Sequence, residues 1–378
     1  MNDRTRVGVI GCGLIAQVMH LPYLTELSDR FDLAAVCDLR ETVAAGCAQR
    51  FGVHRAVASW EELLDEPLDA VLIATSGDHA PIAIEAARAG MHVLVEKPMA
   101  LSSEGAEAMA RAAEFAGVCL MVGTMKRYDP AYERLTELLP AVDDLRLIRV
   151  TTLESPFAPY VAHYPLIGLD GPAGDPVLGE RERDTLEGAL GELDEETLWC
   201  HRWILLDNLV HEFNMLGGLL GEPDEIRFAH LSRRSVSIDM RFGRTDCHLS
   251  WVDLPGIARY RQELCFYGPA QRLTLELPSP FLRSMPTRLL VEGGEVGDAG
   301  SWQREEITSY EEAFKRELVE FSECIRTGRT PRTAADDGLR DMRLAEAVAR
   351  THFERTTTSH RTGPLLTGGA ARAEAGVT

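Results

Sequence analysis

The stretch at residues 5–16, TRVGVIGCGLIA, limits what this chain can fold into more than any other. A short apolar run rich in β-branched residues reads as a buried strand, and Gly11-Cys12-Gly13-Leu14-Ile15-Ala16 follows at once as G-x-G-x-x-A, with a helix expected to residue 21. The glycines permit a tight turn and close approach of a pyrophosphate, while the helix start offers N–H groups and the positive end of its dipole. Alone the motif is weak evidence. Its context is informative: residues 33–37 read as a second strand ending at Asp38, where a ribose-binding acid belongs. A carboxylate there accepts hydrogen bonds from the adenosine ribose and repels a 2′-phosphate, which favours NAD. Arg40 could stack on the adenine or answer a 2′-phosphate, so NADP stays open.

The alternation continues with a helix at 41–51, a short strand near 56–57, a strand at 69–75, a helix at 80–89 stopped by Gly90, a strand at 91–97, a helix at 102–116 and a strand at 118–122. Strands alternating with helices predict a parallel, doubly wound six-stranded sheet complete near Gly123. The fifth strand ends in Glu96-Lys97-Pro98, and a proline cannot donate to a ladder, so Glu96 and Lys97 sit at the carboxyl edge where such sheets bind ligands. Thr75 and His79 flank the same edge after the preceding strand, His79 with a cofactor-side role or as a surface residue.

A net charge of -20 and a pI near 5.0 argue against nucleic acid or an anionic membrane as partner, since both need a basic surface. The first ten residues lack the apolar core of a secretory signal and no apolar run is long enough to span a bilayer; a cytoplasmic location is expected. Eight cysteines are scattered singly without a C-x-x-C pair, so reduced thiols and no metal site are expected.

The segment DAVLIATSGDHAPIAIEAARAGMHVLVEKPMA resembles the signature of the glucose-fructose oxidoreductase and inositol dehydrogenase (Gfo/Idh/MocA) family. GTMKRYDPAY resembles its domain-crossing segment, and ELVEFSECIRTGRTPRTAADDGLRDMRLAEA its last block. The resemblance implies a Rossmann domain carrying NAD or NADP and a second domain whose open, mainly antiparallel sheet floors the substrate site. It also implies contact of Glu96 with the nicotinamide ribose and hydrogen bonding of Lys97 to the reacting oxygen. Lys126, Arg127 and Tyr128 in the crossing segment are candidate substrate contacts.

The expected organisation is a dinucleotide-binding domain at 1–124, a substrate and oligomerisation α+β domain at 125–362, and a flexible tail at 363–378. Six stretches of the second domain, 147–154, 226–231, 236–242, 247–253, 259–267 and 272–277, mostly alternate apolar with polar residues, as half-buried strands do. An open sheet face makes a homo-oligomer, dimer or tetramer, the expectation. Residues 168–198 hold six glycines, two prolines and ten acidic residues against two arginines, and read as an insertion forming either a lid loop or plain acidic surface.

After it, Asp207, His211 and Asn214 fall on one stripe of a helix at about 100° per residue, opposite Leu205, Leu209, Phe213, Leu216 and Leu220. Glu212 is the sole Lys, Arg or Glu between Trp203 and Gly221, so the stripe should line a cleft rather than face bulk water. The family's D-x-x-x-H pattern is matched at Asp207 and His211, but the glycine-rich run that usually precedes it is replaced by Trp203-Ile204-Leu205-Leu206. Hydride removal from a carbinol requires a base for the hydroxyl proton, and histidine suits that task; a lysine stabilises developing alkoxide, and Asp207 orients. The rival for His211 is a core histidine satisfied by Asp207. The expected activity is NAD(P)-dependent oxidation or reduction of a cyclic polyol or sugar. The alternatives are a redox-neutral lyase or glycosidase of the same fold and a non-catalytic dinucleotide sensor.

Overall fold

The runs that read as buried strands lie side by side in the computed structural model, which describes residues 4–168, 178–295, 297 and 300–362. Strands β1 (Thr5–Ile10), β2 (Phe31–Cys37), β3 (Arg55–Val57), β4 (Ala70–Ile73), β5 (His92–Glu96) and β6 (Leu120–Gly123) form a parallel sheet in the order β3-β2-β1-β4-β5-β6. Val9, Val71, Leu72, Ile73 and Val95 are fully buried, each worth about 1.5–3 kcal/mol of burial. The helix after the glycine loop starts with a wide turn, Ala16–His20, and continues as α1 (Leu21–Glu26). Helices α1 and α2 (Glu41–Phe51) cover one face; α3 (Trp60–Leu64), α4 (Ala80–Arg88) and α5 (Ser103–Ala116) cover the other. Register pairs Ile10↔Cys37, Ile10↔Ile73 and Ile73↔Val95 bring four strand ends level. The order reverses at β1, so the loops after β1, β2, β4 and β5 open onto one crevice.

Asp129 caps α6 (Pro130–Leu138) by accepting from Ala131 N at 2.8 Å, and the chain then enters a second sheet. Its strands are β7 (Leu147–Glu154), β8 (Glu225–Leu231), β9 (Ser235–Phe242), β10 (Thr245–Asp253), β11 (Arg261–Tyr267), β12 (Gln271–Leu277), β13 (Arg288–Gly294) and β14 (Ser301–Ile307), in the order β14-β13-β12-β11-β7-β10-β9-β8. All pairings are antiparallel except β7 with β10. Strands β13 and β14 add to the six the sequence predicts.

A short α7 (Ala158–Val161) precedes the acidic stretch, for which the sequence leaves open a lid loop or plain acidic surface. Helices α8 (Glu180–Leu190) and α9 (Glu195–Cys200) fill its described part, because Leu186, Leu190 and Leu198 supply an apolar side that packs into the core. Residues 169–177 of that stretch and the tail expected at 363–378 lie outside the described residues. A wide-turned helix, His201–Leu209, leads into α10 (Val210–Leu220). After α11 (Ala313–Thr327), α12 (Ala335–Thr362) returns to the first sheet against α5 and β6, with Val122 N donating to Thr333 O at 2.8 Å. Among the described residues no helix is long and apolar enough to cross a membrane.

Candidate active site

The four level strand ends border a cleft of about 890 Å³ whose other wall comes from the wide-turned helix and from Pro280 and Phe281. Gly11 turns the chain at φ 96°, and a Cβ there would meet Ala74 O at 2.5 Å, so the turn and the close approach both demand glycine. Gly13 has nothing within 4 Å of an added Cβ, which leaves free space at the start of the helix. Leu14 and Ile15 line the same space. Asp38 accepts from Cys12 N at 3.1 Å, from Arg40 N at 3.0 Å and from Arg40 Nε at 3.3 Å, while Arg40 Nη1 donates to Gly168 O at 2.6 Å. Thr75 Oγ1 is buried without a partner. An open cradle, an acid at the second strand and a spare hydroxyl fit a dinucleotide. His79 lines the cleft but directs both ring nitrogens at carbonyl oxygens, Pro98 O and Thr75 O, each at 2.8 Å, so it fastens the loop. Trp60, which the sequence reading passed over, lines the cleft as well.

At the inner end Glu96 Oε1 meets His20 Nε2 at 2.6 Å and Glu96 Oε2 accepts from Lys97 N at 3.1 Å. Lys97 Nζ is held by Asp207 O at 2.8 Å and Asp207 Oδ1 at 3.1 Å. Burial pushes the Asp207 carboxyl up, but the Lys97 and Arg202 cations outweigh it and hold the group below its usual range. His211 stands in the same cleft; burial, then the charges of Lys126 and Lys97, hold its imidazole well below the ordinary value. Its Nδ1 is buried and without a partner.

Beyond Lys97 the cleft continues into a polar pocket of about 140 Å³. Cross-strand neighbours Thr152 and Gln262 both donate to Glu212 Oε1, and the Gln262 carbonyl accepts from Lys126 Nζ at 2.5 Å. Burial lowers the Lys126 ammonium to about 8, while Glu212 and Glu154 act in the opposite direction. Glu154 and Tyr260 line the pocket too. None of Glu154, Glu212, Tyr260 or Gln262 was singled out from sequence; the lone Glu212 on an apolar helix was the available signal.

Three expected substrate contacts lie elsewhere. Arg127 pairs with Asp337 at 2.9 Å, Tyr128 OH meets Thr333 Oγ1 at 2.9 Å, and Asn214 Nδ2 donates to Asp341 Oδ2 at 2.6 Å against α12. The crossing segment 125–128 is a tight turn rather than an extended run, so Lys126 faces the pocket while its neighbours turn into the packing. Asp207 and His211 line the cleft, whereas Asn214, three residues further along α10, is turned to α12 and its amide is taken by Asp341.

The family model described as an oxidoreductase family with an NAD-binding Rossmann fold matches residues 5–124, which carry the glycine loop, Asp38 and Glu96-Lys97. Over the whole chain, the myo-inositol 2-dehydrogenase of Thermotoga maritima is 25% identical across 370 residues, 93% of this chain and 97% of that protein. This first domain belongs to the Gfo/Idh/MocA oxidoreductase family. Another relative is a D-xylose 1-dehydrogenase (NADP(+)) of Haloferax volcanii, 25% identical over 90% of this chain and 95% of that one. In fold, the chain is similar to KijD10, a 3-ketoreductase from Actinomadura kijaniata solved with TDP-benzene and NADP, at a TM-score of 0.71 and 22% identity over 92% and 98% of the two chains. With that domain and these relatives over its whole length, the chain is an NAD(P)-dependent oxidoreductase.

Proposed function

We propose that the chain interconverts a secondary alcohol and a ketone on a cyclic polyol, sugar or sugar derivative. The observation that carries this is the meeting of Lys97, Asp207 and His211 at the inner end of a cleft whose outer end is a dinucleotide cradle. Gly11, Gly13, Leu14, Ile15, Asp38, Arg40, Thr75 and Glu96 are the residues assigned to the dinucleotide, which when bound supplies the hydride acceptor or donor. His211 takes the hydroxyl proton, and a neutral imidazole is the form its surroundings favour. Lys97 Nζ polarises the same oxygen, and Asp207 keeps it in place. Lys126, Glu154, Glu212 and Tyr260 hold the remaining hydroxyls in a pocket sized for a single ring. A homo-oligomer built on the second sheet is part of the proposal, supported by Trp302 and Tyr310, exposed at 50% and 69%; light scattering on the purified protein tests it.

The test is a turnover screen of inositols and sugars with NAD or NADP, and of keto-sugars with the reduced forms, read by reduced-nicotinamide absorbance. Lys97→Ala and His211→Ala should each lower turnover roughly 10²–10⁴-fold, and the double variant should lose less than the product of the two. Cofactor binding without reduction by any polyol would point to a sensor, and product formation without net nicotinamide change to a redox-neutral enzyme. An active His211→Ala protein would remove the histidine from the mechanism.

A further inference from the structure

Arg202 reaches the cleft from the wide-turned helix, five residues before Asp207, with 3% of its side chain exposed. Its Nε donates to Glu182 Oε1 at 3.2 Å and its guanidinium lies 4.0 Å from the centre of the Trp203 ring. Nη1 is buried and has no partner. Taking a guanidinium out of water is costly, and a donor left unmade keeps that cost. One carboxylate and one ring face leave this cation with hydrogen-bonding capacity to spare, on a wall it shares with Ser76, Gly77 and Lys97. Glu182 also fixes its place: the oxygen that holds Arg202 lies 3.8 Å from where a Cβ on Gly77 would sit, beside the loop after β4. The charge is felt at Asp207, whose carboxyl it helps to keep ionised.

We propose that Arg202 is an anion-binding residue of this cleft, donating from Nη1 to a phosphate or carboxylate oxygen of what binds there. A guanidinium suits the role because it stays charged and presents its donors in a fixed plane, here braced against Trp203. Two sources carry the required oxygen: the pyrophosphate of the dinucleotide, and an acid group on the sugar. The inference rests on the NAD(P)-dependent reading above for the identity of the occupants.

The test uses Arg202→Gln in the full chain, with three readouts: binding of ADP-ribose, binding of adenosine as its phosphate-free control, and turnover of a uronic acid relative to its neutral parent sugar. If the anion is the pyrophosphate, ADP-ribose should weaken roughly 10–100-fold, as for a lost charge-assisted hydrogen bond, with adenosine unchanged. If it is the sugar acid, nucleotide binding should hold while the preference for acid over neutral sugar falls by a similar factor. Should Arg202→Gln not fold, Arg202→Lys keeps the charge, loses the planar fork and should show the same contrast at smaller amplitude. Unchanged ADP-ribose affinity together with an unchanged acid-to-neutral ratio would overturn the proposal and leave Arg202 as a structural partner of Glu182. A wild-type protein that binds no dinucleotide would sink the functional reading itself, a result separate from any property of the variants.

Discussion

Replacing the two loop glycines one at a time separates what the fold needs from what the cofactor needs. In Gly11→Ala the new methyl group would stand 2.5 Å from Ala74 O, 2.6 Å from Ala74 C and 2.7 Å from Thr75 N, all backbone atoms of a strand end that cannot step aside alone. The residue must also keep φ at 96°, which an L side chain resists at a cost of about 1–2 kcal/mol. Overpacking adds about 1–3 kcal/mol, so the ligand-free protein should lose about 2–5 kcal/mol. For a chain of 378 residues that corresponds to a melting temperature lowered by roughly 3–6 °C. Gly13→Ala differs because nothing lies within 4 Å of its Cβ and its φ is ordinary. Its ligand-free stability should stay within about 0.5 kcal/mol of wild type, while affinity for NADH should fall roughly tenfold or more, since about 1.4 kcal/mol of lost contact suffices. Thermal melts with and without NADH, plus a fluorescence titration, read both quantities. A Gly13→Ala protein with wild-type NADH affinity would mean that the pyrophosphate does not run over this loop. A Gly11→Ala protein as stable as wild type would refute the loop geometry.

Three further outcomes follow from other parts of the molecule. Because burial and two lysines hold His211 well below 6.5, the rate of alcohol oxidation should show no acid limb centred near that value, and Lys126→Met should move the limb to higher pH; a wild-type limb at or above 6.5 contradicts this. Asp38→Ser should narrow or reverse a preference for NADH over NADPH, measured by titration of both, and a wild type that binds NADPH more tightly would hand the choice to Arg40. His201 is fully buried and held neutral down to about 3 by that burial, so its contribution to stability is present above the unfolded value near 6.5 and is lost as pH falls below it. The loss should be about 2 kcal/mol between about pH 7 and 5, seen as a flatter denaturant midpoint against pH in His201→Phe; parallel curves for the two proteins would exclude it.

The first sheet was legible almost strand for strand because β4, β6 and most of β1 and β5 are buried on both faces, and residues such as Gly11 and Pro98 mark where β1 and β5 stop. The second sheet was legible where one face is buried, as in β9, whose exposure alternates along its length. Strand β14 gave no signal because nearly every position in it is exposed, so no apolar alternation marks it. The parallel pairing of β7 with β10 joins residues about a hundred positions apart, a relation that local pattern does not carry. Asp207 and His211 could be found because a histidine and an acid stand on an otherwise apolar helix, but the pairing of Asn214 with Asp341, 127 positions away, leaves no mark on local residue type. Arg202 was passed over for a different reason: it stands just before the Trp203-Ile204-Leu205-Leu206 run that replaces the family's glycines, and only the structure shows it sharing the cleft wall with Trp203.

The position of β7 has a consequence for how the chain is made. It emerges before any other strand of its sheet, yet it ends at the centre, bonded on one side to β10 and on the other to β11, so its hydrogen-bonding edges wait for the chain to reach Tyr267. The first sheet, by contrast, has all its strands by Gly123, but the surface that α12 covers stays bare until that helix is synthesised more than 200 residues later. At about 5–20 residues per second that interval is roughly 10–40 s. During it a chaperone would find two different clients on one nascent chain: a nearly finished domain with an open flank, and a lone strand, apolar on one face, with both edges unpaired.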